Sequence, residues 1–182
     1  MKPDNSRRKF LRNSAVATVG FSLIGTATLA NVNPGSNFPG YSSYSNEKTD
    51  FRSGLKLDKH LEIKGQILDV DSLMPVANAK VEVWFKDANS SWKLKRGYFH
   101  TDSNGDYSFK SDWPGRKKGE LPRFYFRISK DGRENYGLLC VNQKQAFAHS
   151  SHWEKHQALG AKTLPTVKNQ LTNNTINLNF SL

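Results

Sequence analysis

The stretch from Leu61 to Leu68, LEIKGQIL, decides the fold class. Its apolar and polar residues alternate, which is the period of two expected of a strand with one buried face. The stretch from Lys80 to Lys86, KVEVWFK, repeats that alternation. The side of this second stretch that we expect to face a core carries Val81, Val83 and Phe85.

Further strands are predicted downstream, at Tyr98–Thr101, Tyr107–Phe109, Arg123–Ser129, Tyr136–Val141 and Thr175–Leu182. The residues Asp102-Ser103-Asn104-Gly105 predict a hairpin turn, because an Asn-Gly pair tolerates positive φ. Seven short strands separated by turns predict an all-β protein folded as a single antiparallel β-sandwich. A short helix is expected near residues 145–159, where aromatic and histidine side chains recur at spacings of three and four.

The amino terminus has the pattern of an export signal. Residues 6–12 read SRRKFLR, and residues 15–30 carry no charge. A basic stretch followed by a short apolar stretch is typical of a secretory signal peptide. The pair Arg7 and Arg8, followed by Phe10 and Leu11, resembles the twin-arginine export signal, and cleavage is expected after Ala30. We therefore expect residues 1–30 to be removed and the protein to be periplasmic or secreted.

An uncleaved membrane anchor is the alternative for this segment, but its apolar part is shorter than the roughly 20 residues of a spanning helix. Residues 31–60 are rich in Asn, Pro, Gly and Ser without any period, and they predict a flexible linker or arm. Tyr41 and Tyr44 could lie on the domain surface, but solvated linker aromatics are the favoured interpretation. The folded domain is then expected to span residues 61–182. No membrane association is expected once the signal has been cleaved.

Charge and cysteine content exclude several classes of protein. The 182 residues contain 27 Lys+Arg and 16 Asp+Glu, a net charge of +11, of which +4 belongs to the first 30 residues. The remaining charge contains no long basic run beyond Arg116–Lys118, so a nucleic-acid groove is not expected. Cys140 is the single cysteine, which excludes a disulfide scaffold and predicts a buried, inert thiol.

Several motifs in the strand region occur in a familiar order. They are Pro75-Val76-Ala77-Asn78-Ala79, Val81-Glu82-Val83-Trp84, Arg96-Gly97, Thr101-Asp102-Ser103-Asn104-Gly105-Asp106-Tyr107-Ser108-Phe109 and Trp113-Pro114-Gly115. This order resembles the catalytic domain of the intradiol ring-cleavage dioxygenases, the catechol and protocatechuate type. Some of these elements also occur in transthyretin-like sandwiches. The resemblance implies a β-sandwich that carries a non-haem ferric ion held by two Tyr and two His.

The iron ligands implied by the resemblance are not found in this sequence. Trp92 stands where the first Tyr is expected, and Arg116–Lys118 stand where the second is expected. The His-x-His pair corresponds to Phe124-Tyr125-Phe126, of which Tyr125 is the nearest replacement donor. Ferric iron needs phenolate oxygen and imidazole nitrogen donors, so it is not expected at this position.

One interpretation of the missing iron ligands is that the chain is a binding protein that keeps the scaffold of the family. Trp84, Trp92, Tyr125 and Lys117 would then form an aromatic surface with a cationic border. Such a surface suits an aromatic or anionic small molecule or an anionic polymer. The alternative is that Phe124 and Phe126 are ordinary core residues, while the basic run belongs to a solvated turn.

Two enzymatic readings remain open. His149, His152 and His156 are spaced to share one helix face, where they could bind zinc or copper; surface imidazoles without a special role are the alternative. The second reading is an active dioxygenase, or another metal-dependent oxidoreductase, that acts on catechol-type aromatics through a rearranged metal site. The sequence does not separate these readings, and it predicts neither the ligand nor the oligomeric state.

Overall fold

The computed structural model describes residues 40–43, 45–53, 60–90, 93–142 and 144–182. The strands in this part of the chain are β1 (His60–Leu68), β2 (Lys80–Lys86), β3 (Leu94–His100), β4 (Asp106–Ser111), β5 (Arg123–Lys130), β6 (Arg133–Val141), β7 (Ala146–Ala148), β8 (Thr166–Asn169), β9 (Asn173–Asn177) and β10 (Phe180–Ser181). Helix α1 (Ser150–His156) and a 3-10 helix (Gln157–Thr163) lie between β7 and β8.

The strands form two sheets. In the first sheet, β1 pairs with β4 on one side and with β9 and β10 on the other, and β8 extends the sheet beyond β9. The second sheet has the order β3-β2-β5-β6-β7 with antiparallel neighbours. The pairs that β1 makes with β9 and β10 are parallel, a departure from a wholly antiparallel arrangement. The predicted all-β sandwich is confirmed.

An aromatic core fills the space between the sheets. Phe85 and Phe124 have ring centroids 4.7 Å apart, and those of Phe126 and Phe180 are 5.0 Å apart. All four side chains are fully buried. Phe124 and Phe126 are therefore core residues, as the alternation along β5 predicted, and their burial supplies part of the hydrophobic stabilisation.

The predicted hairpin at Asn104-Gly105 is wrong. Gly105 does adopt a positive φ of 70°, and the Asp102 carboxylate accepts the Asn104 and Asp106 backbone N–H groups at 2.8 and 2.9 Å. However, β3 pairs with β2 whereas β4 pairs with β1, so this turn carries the chain from one sheet to the other. Turn residues specify a local reversal, whereas the pairing partner depends on packing of the whole domain.

The predicted helix over 145–159 and the predicted final strand are both interrupted. Residues 146–148 form β7, and α1 begins at Ser150 with His149 as its N-cap, since His149 Nδ1 accepts the Ser151 N–H at 3.2 Å. The last strand is divided into β9 and β10 at Leu178-Asn179. Helix α1 packs against β6 and β10 and so closes one side of the sandwich.

The flexible-linker prediction for residues 31–60 is wrong for the described residues between 40 and 53. Phe51 is only 2% exposed and lies in the core, and its N–H donates to the Lys110 carbonyl at 2.8 Å. The Lys48 N–H likewise donates to Tyr98 O at 2.9 Å. Tyr41 is half-buried against the second sheet, so the alternative of a residue on the domain surface holds for it rather than the favoured solvated one. The polar composition of this segment gave no indication that Phe51 is a core residue.

The proposed signal residues Arg7, Arg8, Phe10, Leu11 and Ala30 lie outside the described residues, as do Tyr44 and Trp92. Export and cleavage therefore stay predictions. Among the residues that the structure describes, no helix has the length and apolar character needed to cross a membrane.

Candidate binding site

Trp84 and Tyr125, two of the predicted ligand-binding residues, lie together on the outer face of the second sheet. Their strands place them opposite each other, and their rings stack with centroids 5.7 Å apart and planes 14° apart. Tyr41 packs edge-on against Trp84 with a centroid separation of 5.3 Å. Trp84 is only 3% exposed as a result. The indole is thus closed to a ligand, and the stack is part of the packing between the arm and the sheet.

A buried ion pair next to this stack is also engaged within the protein. Arg127 Nη1 donates to Glu82 at 2.5 Å and to the Tyr41 hydroxyl at 3.2 Å, and Nη2 donates to Glu134 at 2.7 Å. Burial disfavours the charge on Arg127, but the bonds to the two carboxylates outweigh it and raise its pKa. Burial and the neighbouring Glu82 raise the pKa of Tyr41. These groups hold the arm on the sheet and leave Arg127 little capacity for a ligand.

The positions at which the resemblance implies iron ligands do not supply a matching donor set. Phe124 and Phe126 are fully buried in the core and have no lone pair to offer a metal. Arg116 and Lys117 are exposed cations in the loop between β4 and β5. The residues present therefore do not fit ferric iron at these positions.

The loop containing Lys117 borders an open cleft of about 670 Å³, here called the loop cleft. Two chain segments form it: the β4–β5 loop and the turn between β6 and β7. The described residues that line the loop cleft are Trp113, Arg116, Leu121, Pro122, Asn142, Lys144 and Gln145. A volume of this size is in the range of small-molecule sites.

Backbone hydrogen bonds position both walls of the loop cleft. The Gly115 N–H donates to the Lys86 carbonyl at 2.7 Å, which fixes the β4–β5 loop to the end of β2. The Asn142 side chain accepts the N–H groups of Lys144 and Gln145 at 2.9 and 2.7 Å, a side-chain-to-backbone turn that shapes the opposite wall. Trp113 packs against the core, so its position is also determined.

The loop cleft combines an aromatic side chain with positive charge. Arg116 and Lys144 are exposed lining residues, and Lys117 and Lys118 follow Arg116 in the same loop. Within the described ranges, none of these four cations has a carboxylate oxygen within 4.0 Å.

The sequence located this site only in part. It identified the basic run that contains Lys117, but it paired that run with Trp84 and Tyr125, which lie on the buried outer face of the sheet. The aromatic residue of the loop cleft is Trp113, which precedes a Pro-Gly pair. The cation contributed by the β6–β7 turn, Lys144, could not be found from spacing, because it is 28 positions from Arg116.

The three histidines do not form a common ligand set. His149 is exposed at the N-cap, whereas His152 and His156 are fully buried with ring centroids 4.4 Å apart. His156 Nδ1 accepts the Ser181 N–H and Nε2 lies 3.0 Å from the Tyr136 carbonyl, so both nitrogens are engaged. The described part of the chain holds no group of three or more His, Cys, Asp or Glu side chains that could bind a metal ion. The zinc or copper site predicted here is therefore not assembled in the structure, because α1 begins only after His149.

The thiol of Cys140 is buried, as the sequence predicted. It is 9% exposed on β6, and burial raises its pKa, with a smaller opposing effect from the Arg123 charge. A raised pKa keeps the sulfur as the unreactive thiol.

Comparison with solved structures gives the fold. The dioxygenase domain of a dioxygenase carbohydrate-binding protein fusion from Streptomyces sp. SirexAA-E is 15% identical, with a TM-score of 0.61 over 80% of this chain and 93% of that one. An intradiol ring-cleavage dioxygenase from Tetranychus urticae is 16% identical, with a TM-score of 0.60 over 79% and 90% of the two chains. The chain has the intradiol dioxygenase fold.

A third structure agrees with this result. The 3-chlorocatechol 1,2-dioxygenase from Rhodococcus opacus 1CP is 16% identical, with a TM-score of 0.58 over 79% of this chain and 68% of that one. No family model and no curated protein matches this chain. At these identities the similarity describes the fold, and function has to be argued from the site.

Proposed function

We propose that this protein is an exported binding protein that uses the intradiol dioxygenase fold without its iron chemistry. The single observation that carries the proposal is the position of Phe124 and Phe126. These side chains stand where the resemblance implies a histidine pair, and both are packed in the core. Moving them out to admit a metal would leave a cavity that costs several kcal/mol.

The ligand that we propose for the loop cleft is a planar aromatic carboxylate. Trp113 offers a ring face or edge, and Arg116 and Lys144 supply positive charge from opposite walls of the cleft. An arginine can hold a carboxylate through two parallel hydrogen bonds, while a lysine acts as a point charge. The loop cleft is open to solvent on one side, which favours reversible binding over enclosure of a reaction.

Titration with benzoate, protocatechuate and naphthoate tests this proposal, with benzamide as the neutral control. We expect saturable quenching of tryptophan fluorescence or calorimetric binding by at least one carboxylate. We expect benzamide to bind more weakly because it lacks the charge. The double variant Arg116→Gln with Lys144→Gln should weaken carboxylate binding roughly ten-fold, as removal of two partly exposed charge contacts implies.

Lys93→Gln with Lys155→Gln is the matched control, because it removes the same charge from exposed lysines outside the loop cleft. It should leave carboxylate binding unchanged. Absence of binding by all three carboxylates, or equal loss in the control and the double variant, would overturn the proposed site. Consumption of oxygen with catechol, together with ring opening, would overturn the non-catalytic assignment.

A further inference from the structure

A second groove lies on the outer face of the first sheet and shares no lining residue with the loop cleft. Its volume is about 790 Å³. Three lysines line it from three different elements: Lys64 on β1, Lys162 on the 3-10 helix and Lys168 on β8. We call it the lysine groove. Side-chain amides of Gln66, Asn177 and Asn179 lie among these lysines.

The interruption between β9 and β10 builds one end of the lysine groove. The Leu178 carbonyl passes directly over Gly65, where a Cβ atom would lie 1.7 Å from that oxygen, so no other residue fits this crossing. The Tyr107 hydroxyl donates to the same carbonyl at 2.7 Å. Asn179 accepts the Gln66 N–H through its side chain at 3.0 Å and donates to the Lys162 carbonyl at 3.0 Å. These bonds tie the segment bearing Lys162 to β1.

The lysines of the groove are available for a ligand. Lys64, Lys162 and Lys168 are exposed, and none has a carboxylate within 4.0 Å in the described ranges. Two acidic residues, Asp102 and Asp106, also line the groove. The Asp102 carboxylate already accepts two backbone N–H groups of its own turn. The positive charge is thus free, while part of the negative charge is engaged in the turn.

The strand register separates two of these charges along the sheet. Lys64 lies opposite Asn177, which lies opposite Thr166, and Lys168 is two residues further along β8. Strand spacing and rise then put the Lys64 and Lys168 Cα atoms roughly 12 Å apart. The groove therefore presents separated point charges with amide and hydroxyl groups between them. Tyr107 is the one aromatic residue among its described lining residues, and it is buried with its hydroxyl engaged.

We propose that the lysine groove binds a segment of an acidic polysaccharide. The separated lysines pair with anionic groups on successive sugar units, and the amides and hydroxyls hydrogen-bond the sugar hydroxyls. A single small aromatic acid is not favoured here, because the described lining residues of the groove include no exposed aromatic ring. This inference goes beyond the proposed function and does not depend on it.

Affinity electrophoresis in gels containing polygalacturonate tests the inference, with dextran sulfate as the sulfated arm and neutral dextran as the blank. We expect retardation by polygalacturonate, or by dextran sulfate if the preferred anion is sulfate, and none by neutral dextran. The double variant Lys64→Gln with Lys168→Gln should weaken the retained interaction roughly ten-fold. The interaction should also weaken as salt is added.

The matched control is Lys93→Gln with Lys155→Gln, which removes the same charge from exposed positions outside both the groove and the loop cleft. Equal weakening in the two double variants would overturn the inference by showing unspecific attraction. Absence of retardation by both charged polymers would also overturn it. A single-stranded oligonucleotide that binds more tightly through the same lysines would overturn the polysaccharide assignment. Benzoate binding is measured on the same variants, so failure at one site is distinguishable from failure at the other.

Discussion

Mild acid should destabilise this protein, because His152 and His156 are buried without charge between α1 and the core. Both imidazoles contact the Phe180 ring, with centroids 5.2 and 5.3 Å away. Neither ring nitrogen of His152 has a hydrogen-bond partner in the described structure. Burial lowers the pKa of His152 to about 4. Burial, followed by proximity to His152, lowers the pKa of His156 to about 3.

The size of the effect follows from proton linkage. Both folded-state pKa values lie below the unfolded value of about 6.5, so the unfolded chain takes up protons first as the pH falls. The stability that these two histidines contribute is complete above that value, and it is lost as the pH falls towards their folded pKa values. Between pH 7 and pH 5 each histidine should lower the free energy of unfolding by about 2 kcal/mol. Carboxylates with lowered pKa values, such as Asp50 and Asp112, act mainly below this window.

Urea unfolding followed by tryptophan fluorescence at pH 7, 6 and 5 measures this loss. The variant His152→Leu should remove about half of the pH dependence. It should cost little at pH 7, since the His152 nitrogens make no hydrogen bond in the described structure. By contrast, His156→Leu should destabilise at pH 7, because it removes the buried hydrogen bonds that His156 makes with the Ser181 N–H and the Tyr136 carbonyl. A wild-type stability that is flat from pH 7 to 5, or a full pH dependence in His152→Leu, would refute the reasoning.

Three further perturbations test the packing of the arm, the buried ion pair and the thiol. Phe51→Ala should lower the free energy of unfolding by about 3–5 kcal/mol in denaturant titration. Arg52→Ala, which removes a half-buried side chain from a surface ion pair with Asp50, should cost less than about 1 kcal/mol. Similar values for the two variants would contradict the placement of Phe51 in the core. Glu82→Gln should lower the free energy of unfolding by about 1–3 kcal/mol, because it weakens a buried charged hydrogen bond to Arg127. This loss should exceed that of Glu134→Gln, which lies at the exposed end of the same network. A larger loss for Glu134→Gln would argue against a buried pair. Cys140 should react with a thiol reagent only after unfolding, and rapid labelling of the native protein would show that β6 leaves it accessible.

Strands β1 and β5 could be predicted because one face of each lies in the core. Along β1 and β5 every second residue is buried, so the alternation of side-chain types records the environment directly. The pairing of the strands could not be predicted in the same way. The turn after β3 looks like a hairpin in sequence, yet it crosses between sheets, because the choice of partner depends on contacts distant in sequence.

The candidate site was predictable only where it is local in sequence. The basic run with Lys117 is contiguous, and it lies in the loop that borders the cleft. Trp113 and Lys144 belong to different loops, and only the folded chain brings them to one cleft. Trp84 was predicted to be an exposed ligand-binding residue because the alternation along β2 places it on the outer face of the sheet. That face is covered by Tyr41 of the arm, so both faces of β2 are buried.

Loading of the purified protein with ferric iron is the most direct test of the central claim that this fold binds rather than cleaves. The measurement is the iron content per chain after removal of free metal, together with the visible absorption spectrum. We expect a colourless protein without bound iron, since Phe124 and Phe126 occupy the core where donors would be needed. About one iron per chain, with a phenolate-to-iron absorption band that disappears in Tyr125→Phe, would contradict the account.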